Sequence, residues 1–399
     1  MKILIHDYPG HPFQVQLSRK LAERGHQVLH LYAGYNITPR GELTRRDNDP
    51  ITFAISPIFI RKPLQKYNFL NRWFQEREYG GLLSEEIAKF KPDLVISANT
   101  PLDAQKLALN TAQKNGSRFI FWLQDVIGIA SHRILREKLP IIGDIIGKYY
   151  LQLEKTLLRG SDHIVLITEG FQSLMLDWGI NNENTSVIPN WAPLEDISPN
   201  PKANTWSKEQ GLADKFCYMY TGTLGMKHNP SFLLELALKY KDNDQVRVVV
   251  ISEGPGADWL KLKKDELNLT KLLILPYQPF EILPLVMASA DVLIALLEAE
   301  AGIFSVPSKV LTYLCTQRPL LIAVPGENLA ARIVQKNDAG FVVPPGNTHL
   351  FLTKAEVLYN NVDLRQRLAR NGRTYAENTF DIDHIADQFE EIIRNLQLR

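Results

Sequence analysis

Short, continuously apolar runs alternate with segments of helical spacing through the first half of the chain. The apolar runs cover residues 2–5, 27–32, 93–98, 119–123 and 163–168. Helical spacing follows at 13–24 and 102–114, and Gly25 and Asn115-Gly116 are typical helix ends. Because the runs are apolar without alternation, they favour strands of a parallel sheet that helices cover on both faces.

The second half of the chain repeats this pattern. Its apolar runs cover residues 216–220, 246–251, 272–275, 292–296 and 320–324. A helix is predicted at 230–240, and four prolines with little periodicity indicate a linker within 189–202. Apolar residues at helical spacing, from Ile385 to Leu396, predict a last helix. That helix either caps its own domain or crosses back to the first.

These patterns predict an α/β protein with two doubly wound, Rossmann-like domains facing across a cleft. The predicted boundaries are 1–190 for the N-terminal domain, 191–202 for the linker, 203–380 for the C-terminal domain and 381–399 for the last helix. Sheets of this kind bind ligands beyond the carboxyl ends of their strands. We therefore expect functional residues in the loops that follow the apolar runs.

Composition narrows the class of protein. The 399 residues include 45 Lys and Arg against 44 Asp and Glu, so the charge gives no argument for a nucleic-acid partner. Two cysteines, Cys217 and Cys315, argue against a disulfide framework or a zinc site. The N-terminus turns polar too early for a signal peptide, and prolines and charges interrupt the longest apolar region, 272–297. The sequence predicts a cytoplasmic protein.

Residues 305–319, SVPSKVLTYLCTQRP, place Ser308 and Lys309 at the start of a predicted helix. A helix N-terminus carries partial positive charge and unsatisfied N–H donors, which suits a phosphate group. The same pattern is also typical of an ordinary surface helix with a serine cap.

Several motifs, taken in order, resemble the retaining, GT-B-fold glycosyltransferases of family 4. The resemblance is strongest to the bacterial exopolysaccharide subgroup, which includes colanic acid fucosyl- and fucosamine-transferase-like proteins. The motifs are RKLAERGHQV (19–28), FWLQD (121–125), VLITEGFQSLMLDWGI (165–180), SVIPNW (186–191), YTGTLGMKHN (220–229), VVVISEGPG (248–256) and SVPSKVLTYLCTQRP (305–319). The resemblance implies GT-B architecture. It also implies a nucleoside diphosphate sugar as donor substrate, with no separate cofactor and no metal.

The resemblance implies that the second domain binds this donor. Gly222 lets the backbone turn tightly beside a ligand, while Thr223 offers a hydroxyl and Lys227 a charge for the diphosphate. Ser308 and Lys309 complete the diphosphate site. The turn at Gly254 lies along the nucleotide, and Tyr277 offers a flat contact for the base. Taken locally, these residues also fit a glycine-rich turn with a solvated lysine and a core segment shaped by proline.

The chain departs from the family at two glutamates that most members carry eight residues apart. Counting back from Pro319 places Phe304 and Thr312 at these positions. Thr312 then falls where relatives bind the ribose hydroxyls. The contact to the donor sugar is assigned by hypothesis to Glu298 or Glu300.

The first domain departs from the family at a histidine near the reaction centre. Gln124 stands at that position, and Asp125 becomes the polar residue expected at the reaction centre. An Asp after a strand is also typical of a helix cap. His6 and His11 lie in the N-terminal loop region, where lone histidines are usually structural or solvated.

Basic and aromatic residues interleave at 57–83, and another apolar stretch covers 139–150. An amphipathic segment of this kind suits an anionic membrane surface. We hypothesise peripheral attachment to the inner face of the plasma membrane, where a lipid-linked acceptor would lie. A solvated basic helix with a buried aromatic stripe is the alternative.

The sequence therefore predicts a metal-independent, retaining transferase. It would move a sugar from a nucleoside diphosphate sugar to a hydroxyl of a glycan or lipid-linked acceptor, in surface polysaccharide or glycolipid biosynthesis. Lys227, Lys309 and the helix end at Ser308 would neutralise the departing diphosphate. Two alternatives remain open at this stage: a sugar-nucleotide epimerase of the same fold, and a non-catalytic partner subunit with a degenerate donor site. The absent signal peptide disfavours a two-lobed binding protein of the export type.

Overall fold

The computed structural model describes residues 1–35, 43–65, 68–297 and 308–398, with all their side chains except those of Phe69, Lys138 and Lys227. The chain divides into two compact units. Unit 1 comprises Met1–Pro189 and Ile382–Arg399, and unit 2 comprises Asn190–Asp381. By its contacts the last helix belongs to unit 1, and the proline-rich segment 191–202 belongs to unit 2.

Unit 1 is built on a parallel sheet with the strand order β3-β2-β1-β4-β5-β6-β7. The strands are β1 (Lys2–Asp7), β2 (Gln27–Ala33), β3 (Phe53–Ile58), β4 (Leu94–Ala98), β5 (Arg118–Leu123), β6 (His163–Leu166) and β7 (Thr185–Val187). Strands β1, β4 and β5 are almost entirely buried, which is why their stretches 3–5, 94–96 and 119–123 are apolar without alternation. The order reverses at β1, so the connections that leave β1 and β4 run over opposite faces of the sheet.

Helices cover the sheet of unit 1. They are α1 (Pro12–Glu23), α2 (Phe69–Phe90), α3 (Leu102–Lys114), α4 (Ile127–Lys138), α5 (Ile142–Gly160), α6 (Gln172–Asp177) and the last helix, α15 (Ile382–Gln397). Helix α15 packs beside α1, and its Phe389 ring lies 4.9 Å from the buried Trp122 ring of β5. Arg24 fixes the start of α15 through ion pairs with Asp383, at 3.1 Å, and Asp387, at 2.6 Å.

Unit 2 has a parallel sheet with the order β10-β9-β8-β11-β12-β13, which reverses at β8 as that of unit 1 does at β1. The strands are β8 (Phe216–Thr221), β9 (Val246–Ile251), β10 (Leu272–Leu275), β11 (Val292–Leu296), β12 (Leu320–Ala323) and β13 (Gly340–Val343). The helices are α7 (Thr205–Glu209), α8 (Ser231–Lys239), α9 (Pro255–Glu266), α10 (Leu283–Ala288), α11 (Ser308–Cys315), α12 (Leu329–Lys336), α13 (Thr348–Asn360) and α14 (Val362–Thr379). A buried core that includes Tyr218, Phe232 and Phe351 lies between β8, α8 and α13.

The predicted fold class is confirmed, and each strand predicted from an apolar run lies within two residues of its expected bounds. The structure adds β3, β7 and β13, which the pattern did not predict. Strand β3 lies at the sheet edge, contains Pro57 and is only partly buried, so it lacks a continuous apolar run. Strand β7 has three residues. No helix within the described ranges combines the length and the apolar character needed to cross a membrane.

Candidate active site

The switch point of unit 2 lies between β8 and β11, where the chain leaves the sheet toward opposite faces. Gly222 follows β8, and Lys309 lies in the first turn of α11. A Cβ atom built on Gly222 would stand 3.5 Å from Lys309 Nζ. Gly222 has φ +100°, a backbone conformation that favours glycine. Two residues 87 positions apart in the sequence therefore meet at one edge of the sheet.

Lys309 is held by an aromatic side chain of β8. Its Nζ donates a hydrogen bond to Tyr220 Oη at 2.5 Å and lies 3.8 Å from the centre of the Tyr220 ring. Tyr220 Oη in turn donates to the carbonyl oxygen of Thr223 at 2.7 Å. Burial lowers the pKa of Lys309 to about 7. Among the described residues, no carboxylate lies within ion-pair distance of this ammonium group. An anionic ligand would supply the missing countercharge.

Tyr313 fixes the start of α11 against the end of β8. Its hydroxyl accepts the backbone N–H of Thr221 at 3.0 Å and lies 3.1 Å from Thr221 Oγ1. Tyr313 follows Lys309 by four residues, so both side chains face β8 from neighbouring turns. Ser308 and Thr312 are spaced in the same way; Ser308 is exposed and Thr312 is partly buried.

The loops after β9 and β10 continue this edge. Thr223 Oγ1 lies 3.1 Å from Tyr277 Oη, and the Tyr277 N–H donates to Glu253 Oε1 at 3.4 Å. Gly254, at φ +107°, begins α9, and the N–H of Gly256 donates to the Leu224 carbonyl at 2.9 Å. The structure thus brings together the predicted residues Gly222, Thr223, Gly254, Tyr277 and Lys309.

The side chains of two predicted residues, Lys227 and Glu300, lie outside the part of the protein that the structure describes. Lys227 lies in a short 3₁₀ turn, Met226–His228, and its side chain is not among those described. Glu300, with Glu298 and Phe304, lies outside the described residues. Within the turn, His228 Nδ1 accepts the N–H of Gly225 at 3.0 Å, so His228 shapes the backbone there.

The switch point of unit 1, between β1 and β4, holds a buried carboxylate that the sequence analysis did not single out. Asp7 accepts hydrogen bonds from the backbone N–H of His11 and from Asn99 Nδ2, the latter at 3.1 Å. Gln14, turned with its amide nitrogen toward Asp7, lies 2.6 Å from both carboxylate oxygens. Burial alone would raise the pKa of Asp7, but the charge and hydrogen bonds of His11 outweigh it, and the pKa is lowered.

His11 is the cationic partner of Asp7. Burial would lower the pKa of its ring, but Asp7 and then Asp125 raise it, and the net shift is upward. His6 is different. It is fully buried, bonds to Tyr79 Oη at 2.7 Å, and burial lowers its pKa to about 3. His6 is therefore a neutral core residue, as lone histidines usually are.

Gln124 and Asp125 follow β5, the next strand along the same edge. Gln124 is buried and Asp125 is exposed. The effect of Asp125 on the pKa of His11 places the two groups in one electrostatic neighbourhood. The structure thus brings Asp125 near His11 and Asp7.

Sequence reasoning missed four residues that organise these edges: Asp7, Asn99, Tyr220 and Tyr313. Asn99 carried a local signal, since in the sequence it lies between a strand and Thr100-Pro101, a pattern typical of a turn; in the structure it has φ +54°. Tyr313 carried a weaker one, its four-residue spacing from Lys309. Within the described ranges, no group of three or more His, Cys, Asp or Glu side chains is placed to hold a metal ion.

Two units with the same reversed strand order, each with polar residues gathered at the switch point, are the architecture of the GT-B glycosyltransferases. Residues 14–196 match the family model described as Glycosyltransferase Family 4, and residues 202–375 match Glycosyl transferases group 1. The chain belongs to the family 4 glycosyltransferases and is a glycosyltransferase enzyme. This confirms the family resemblance.

Individual proteins agree with this assignment. WcaI of Escherichia coli (strain K12), whose name assigns it to colanic acid biosynthesis as a glycosyl transferase, is 20% identical over 320 residues, covering 77% of this chain and 75% of WcaI. The structure of Anabaena Alr3699/HepE in complex with UDP-glucose matches with a TM-score of 0.73 at 16% identity, over 99% of this chain and all of that one. Sucrose-phosphate synthase from Thermosynechococcus elongatus matches with a TM-score of 0.72 at 16% identity, over 99% of both chains.

Proposed function

We propose that this enzyme transfers a sugar from a nucleoside diphosphate sugar to a hydroxyl of a glycan or lipid-linked acceptor. The proposed reaction retains the anomeric configuration, needs no metal ion and belongs to surface polysaccharide or glycolipid biosynthesis. One observation carries the proposal: Lys309, at the start of α11, faces Gly222 with no carboxylate partner among the described residues.

Charge is the first argument for a diphosphate at this edge of unit 2. The leaving diphosphate gains negative charge as the glycosidic bond breaks, and preorganised cations stabilise that charge. Lys309 supplies one cation and the N-terminus of α11 a partial one. Lys227 is assigned as a second lysine from the sequence pattern. Gly222 leaves space for the ligand because it has no side chain between backbone and ammonium group.

The rest of the donor is assigned to neighbouring groups. Tyr277 offers its ring to the base, and Thr223 a hydroxyl held at 3.1 Å from the Tyr277 hydroxyl. The turn at Gly254 follows the nucleotide, with Thr312 and Ser308 as the hydroxyl groups on α11. Glu300 is assigned to the donor sugar on sequence spacing alone.

Unit 1 is assigned to the acceptor and the reaction centre. Asp125 is the exposed carboxylate of the edge, with Gln124 beside it. The balanced pair of Asp7 and His11 leaves this edge polar without a strong net charge, which suits an acceptor hydroxyl. Retention is supported by the family, and the polysaccharide pathway by the name of WcaI, which points to colanic acid biosynthesis.

Exposed apolar residues support a peripheral position at the inner face of the plasma membrane. At the turn between α4 and α5, Ile141 is 80% exposed and Ile142 61% exposed; on α2, Leu70 is 67% exposed. Arg77 and Tyr150 both reach Asp103, at 3.8 and 3.1 Å, so α2 and α5 lie on the same side of unit 1. Arg136, exposed on α4, adds positive charge that complements anionic lipids.

Flotation with vesicles tests the membrane position. The wild type should float with phosphatidylglycerol vesicles and not with phosphatidylcholine vesicles. A double variant, Ile141→Asp with Ile142→Asp, should lose this binding. Val362→Asp, an exposed apolar position of unit 2, is the matched control and should bind like the wild type. An absence of wild-type flotation would exclude this part of the proposal.

Thermal shift measurements test the donor site. A panel of sugar nucleotides should begin with UDP-glucose, because the similar HepE structure holds that compound. A ligand at about 100 times its Kd stabilises by about 2.7 kcal/mol, enough for a clear rise in Tm. Lys309→Ala and Lys227→Ala should each abolish the rise without unfolding the protein, whereas Lys261→Ala, on the exposed face of α9, should not. Wild-type shifts in both variants would mean that the diphosphate binds elsewhere.

A further inference from the structure

The start of α4 lacks a cap from its own sequence. The helix begins at Ile127, two residues after Asp125, and its N-cap residue Val126 makes no side-chain hydrogen bond to the helix. The first N–H groups of a helix have no partner within it and need acceptors from elsewhere. Here the acceptor comes from α5. The carboxylate of Glu154 accepts the N–H of Ile127 at 2.9 Å and that of Gly128 at 2.9 Å.

Gly128 makes this contact possible. A Cβ atom on Gly128 would stand 2.7 Å from Glu154 Oε2 and 3.0 Å from the Cα atom of Leu151. Neither distance is tolerable without movement of the carboxylate or the helix. Gly128 and Glu154 therefore form a matched pair that holds the end of α4 against α5.

Burying a glutamate at this position costs free energy, because its charged form loses its hydration, so a purely structural role does not account well for it. The Glu154 side chain is fully buried, and no Lys or Arg of the described residues forms an ion pair with it. Burial raises the pKa of Glu154 to about 8; the two N–H bonds oppose that shift, and the negative charge of Asp125 adds to it. Charged groups on the helices that pack against α5 have partners of their own: Asp103 of α3 accepts from Tyr150 and lies 3.8 Å from Arg77, and His132 of α4 pairs with Asp144.

We infer that Glu154 is a positioning residue for glycosyl transfer, which fixes the N-terminus of α4 and thereby the backbone segment that presents Asp125. The inference rests on the proposed role of Asp125 in the reaction. Glu154 itself touches no reactant. It acts through the two N–H groups that directly follow the Asp125-Val126 turn.

The test compares Glu154→Gln and Gly128→Ala with the wild type. Both variants should lower kcat by about 10- to 100-fold, because a displacement near 1 Å at a reacting group has effects of this size. The KM for the donor should change little. Hydrogen exchange of the peptide that covers residues 126–130 should become faster in both variants. The kcat of the wild type should rise as Glu154 ionises toward pH 8, and this rise should be absent from Glu154→Gln.

Glu137→Gln is the control, since it makes the same substitution at an exposed position of α4, the helix whose start Glu154 holds. It should leave exchange and kcat as in the wild type. Unchanged exchange at 126–130 in both test variants would overturn the anchoring role, whatever the activity. Faster exchange with an unchanged kcat would overturn the positioning role. A failure of the proposed donor site would appear instead as an absent thermal shift with UDP-glucose and the other sugar nucleotides in the wild type, with the exchange result unaffected.

Discussion

The two switch points of this enzyme share a strand order but differ in how their charges are balanced. In unit 2, the ammonium group of Lys309 meets only neutral groups among the described residues, the Tyr220 hydroxyl and the backbone at Gly222. In unit 1, the Asp7 carboxylate is surrounded by the donors of His11, Asn99 and Gln14. One edge holds an unbalanced cation, and the other a carboxylate balanced by its own unit.

This difference predicts different roles for the two edges: Lys309 is suited to bind a ligand, and Asp7 is suited to stabilise the loop around it. A partly desolvated cation without an internal partner gains most from an anionic ligand, because the ligand restores the lost stabilisation of the charge. A buried carboxylate with three donors has little to gain from a ligand and instead orders the loop around it. In the proposed function, the same fold thus supplies a site for a charged donor in one unit and a polar edge for neutral hydroxyl groups in the other.

Reversing the charge at Lys309 should break the comparison most strongly. Lys309→Glu places a carboxylate at both switch points, where it would repel the diphosphate. We expect kcat/KM to fall by about 10²- to 10³-fold or more, the loss typical for removal of one group that stabilises developing charge. Initial-rate kinetics with a saturating acceptor measure it. Lys261→Glu on α9 is the control, and near-wild-type rates for Lys309→Glu would contradict the assignment.

Removing the charge from the other edge should affect stability and spare donor binding. Asp7→Asn weakens the bonds to His11 and Gln14, and we expect a loss of about 1–3 kcal/mol in the free energy of unfolding. Because the pKa of Asp7 is lowered, its contribution is present at neutral pH and fades as the pH falls below about 4. Urea unfolding at several pH values measures this.

The exposed Asp47→Asn serves as the reference for that experiment. The thermal shift with UDP-glucose should survive in Asp7→Asn. Loss of the shift, with an unchanged free energy of unfolding, would mean that the roles of the two edges have been assigned the wrong way round.

The sequence predicted the strands that form both edges better than the side-chain contacts within those edges. Strands such as β11 and β12 are continuously apolar because both faces are buried, and that pattern is visible in one chain. Gly222, Tyr277 and Lys309 each follow such a run or begin a helix, so their shared edge follows from parallel topology.

The partners of these residues could not be predicted in the same way. Tyr220 lies inside an apolar strand, where its hydroxyl is indistinguishable from core packing until Lys309 is placed against it. Asp7 and Asn99 are 92 residues apart and meet only because β1 and β4 are neighbours in the sheet. Contacts across a switch point join distant segments, and local spacing does not record them.

A methyl group at Gly222 tests whether donor binding at Lys309 needs the open backbone of Gly222. Gly222→Ala introduces strain at φ +100°, worth about 1–2 kcal/mol, and places Cβ 3.5 Å from Lys309 Nζ. We expect about tenfold weaker donor binding in isothermal titration calorimetry. Gly346→Ala carries similar strain at φ +87° with no atom within 4 Å, so it should lose stability but keep donor affinity. Equal affinity losses in both variants would assign the effect to strain alone.

Proton uptake on donor binding should show whether Lys309 lacks a countercharge in the donor-free enzyme, and measuring it requires no change to the protein. The pKa of Lys309 is lowered from 10.5 to about 7, so at pH 8 the donor-free enzyme holds this lysine mostly neutral. A bound diphosphate favours the charged form and raises the pKa again. Binding at pH 8 should therefore take up close to one proton, and the affinity should fall by up to about tenfold per pH unit above pH 7.

Calorimetry in two buffers of different ionisation enthalpy measures the uptake directly. Lys309→Arg stays protonated throughout this range and should bind without uptake. A binding enthalpy of the wild type that is independent of the buffer at pH 8 would show that Lys309 keeps its protonation state when the donor binds. The donor would then not act as the missing countercharge of this lysine.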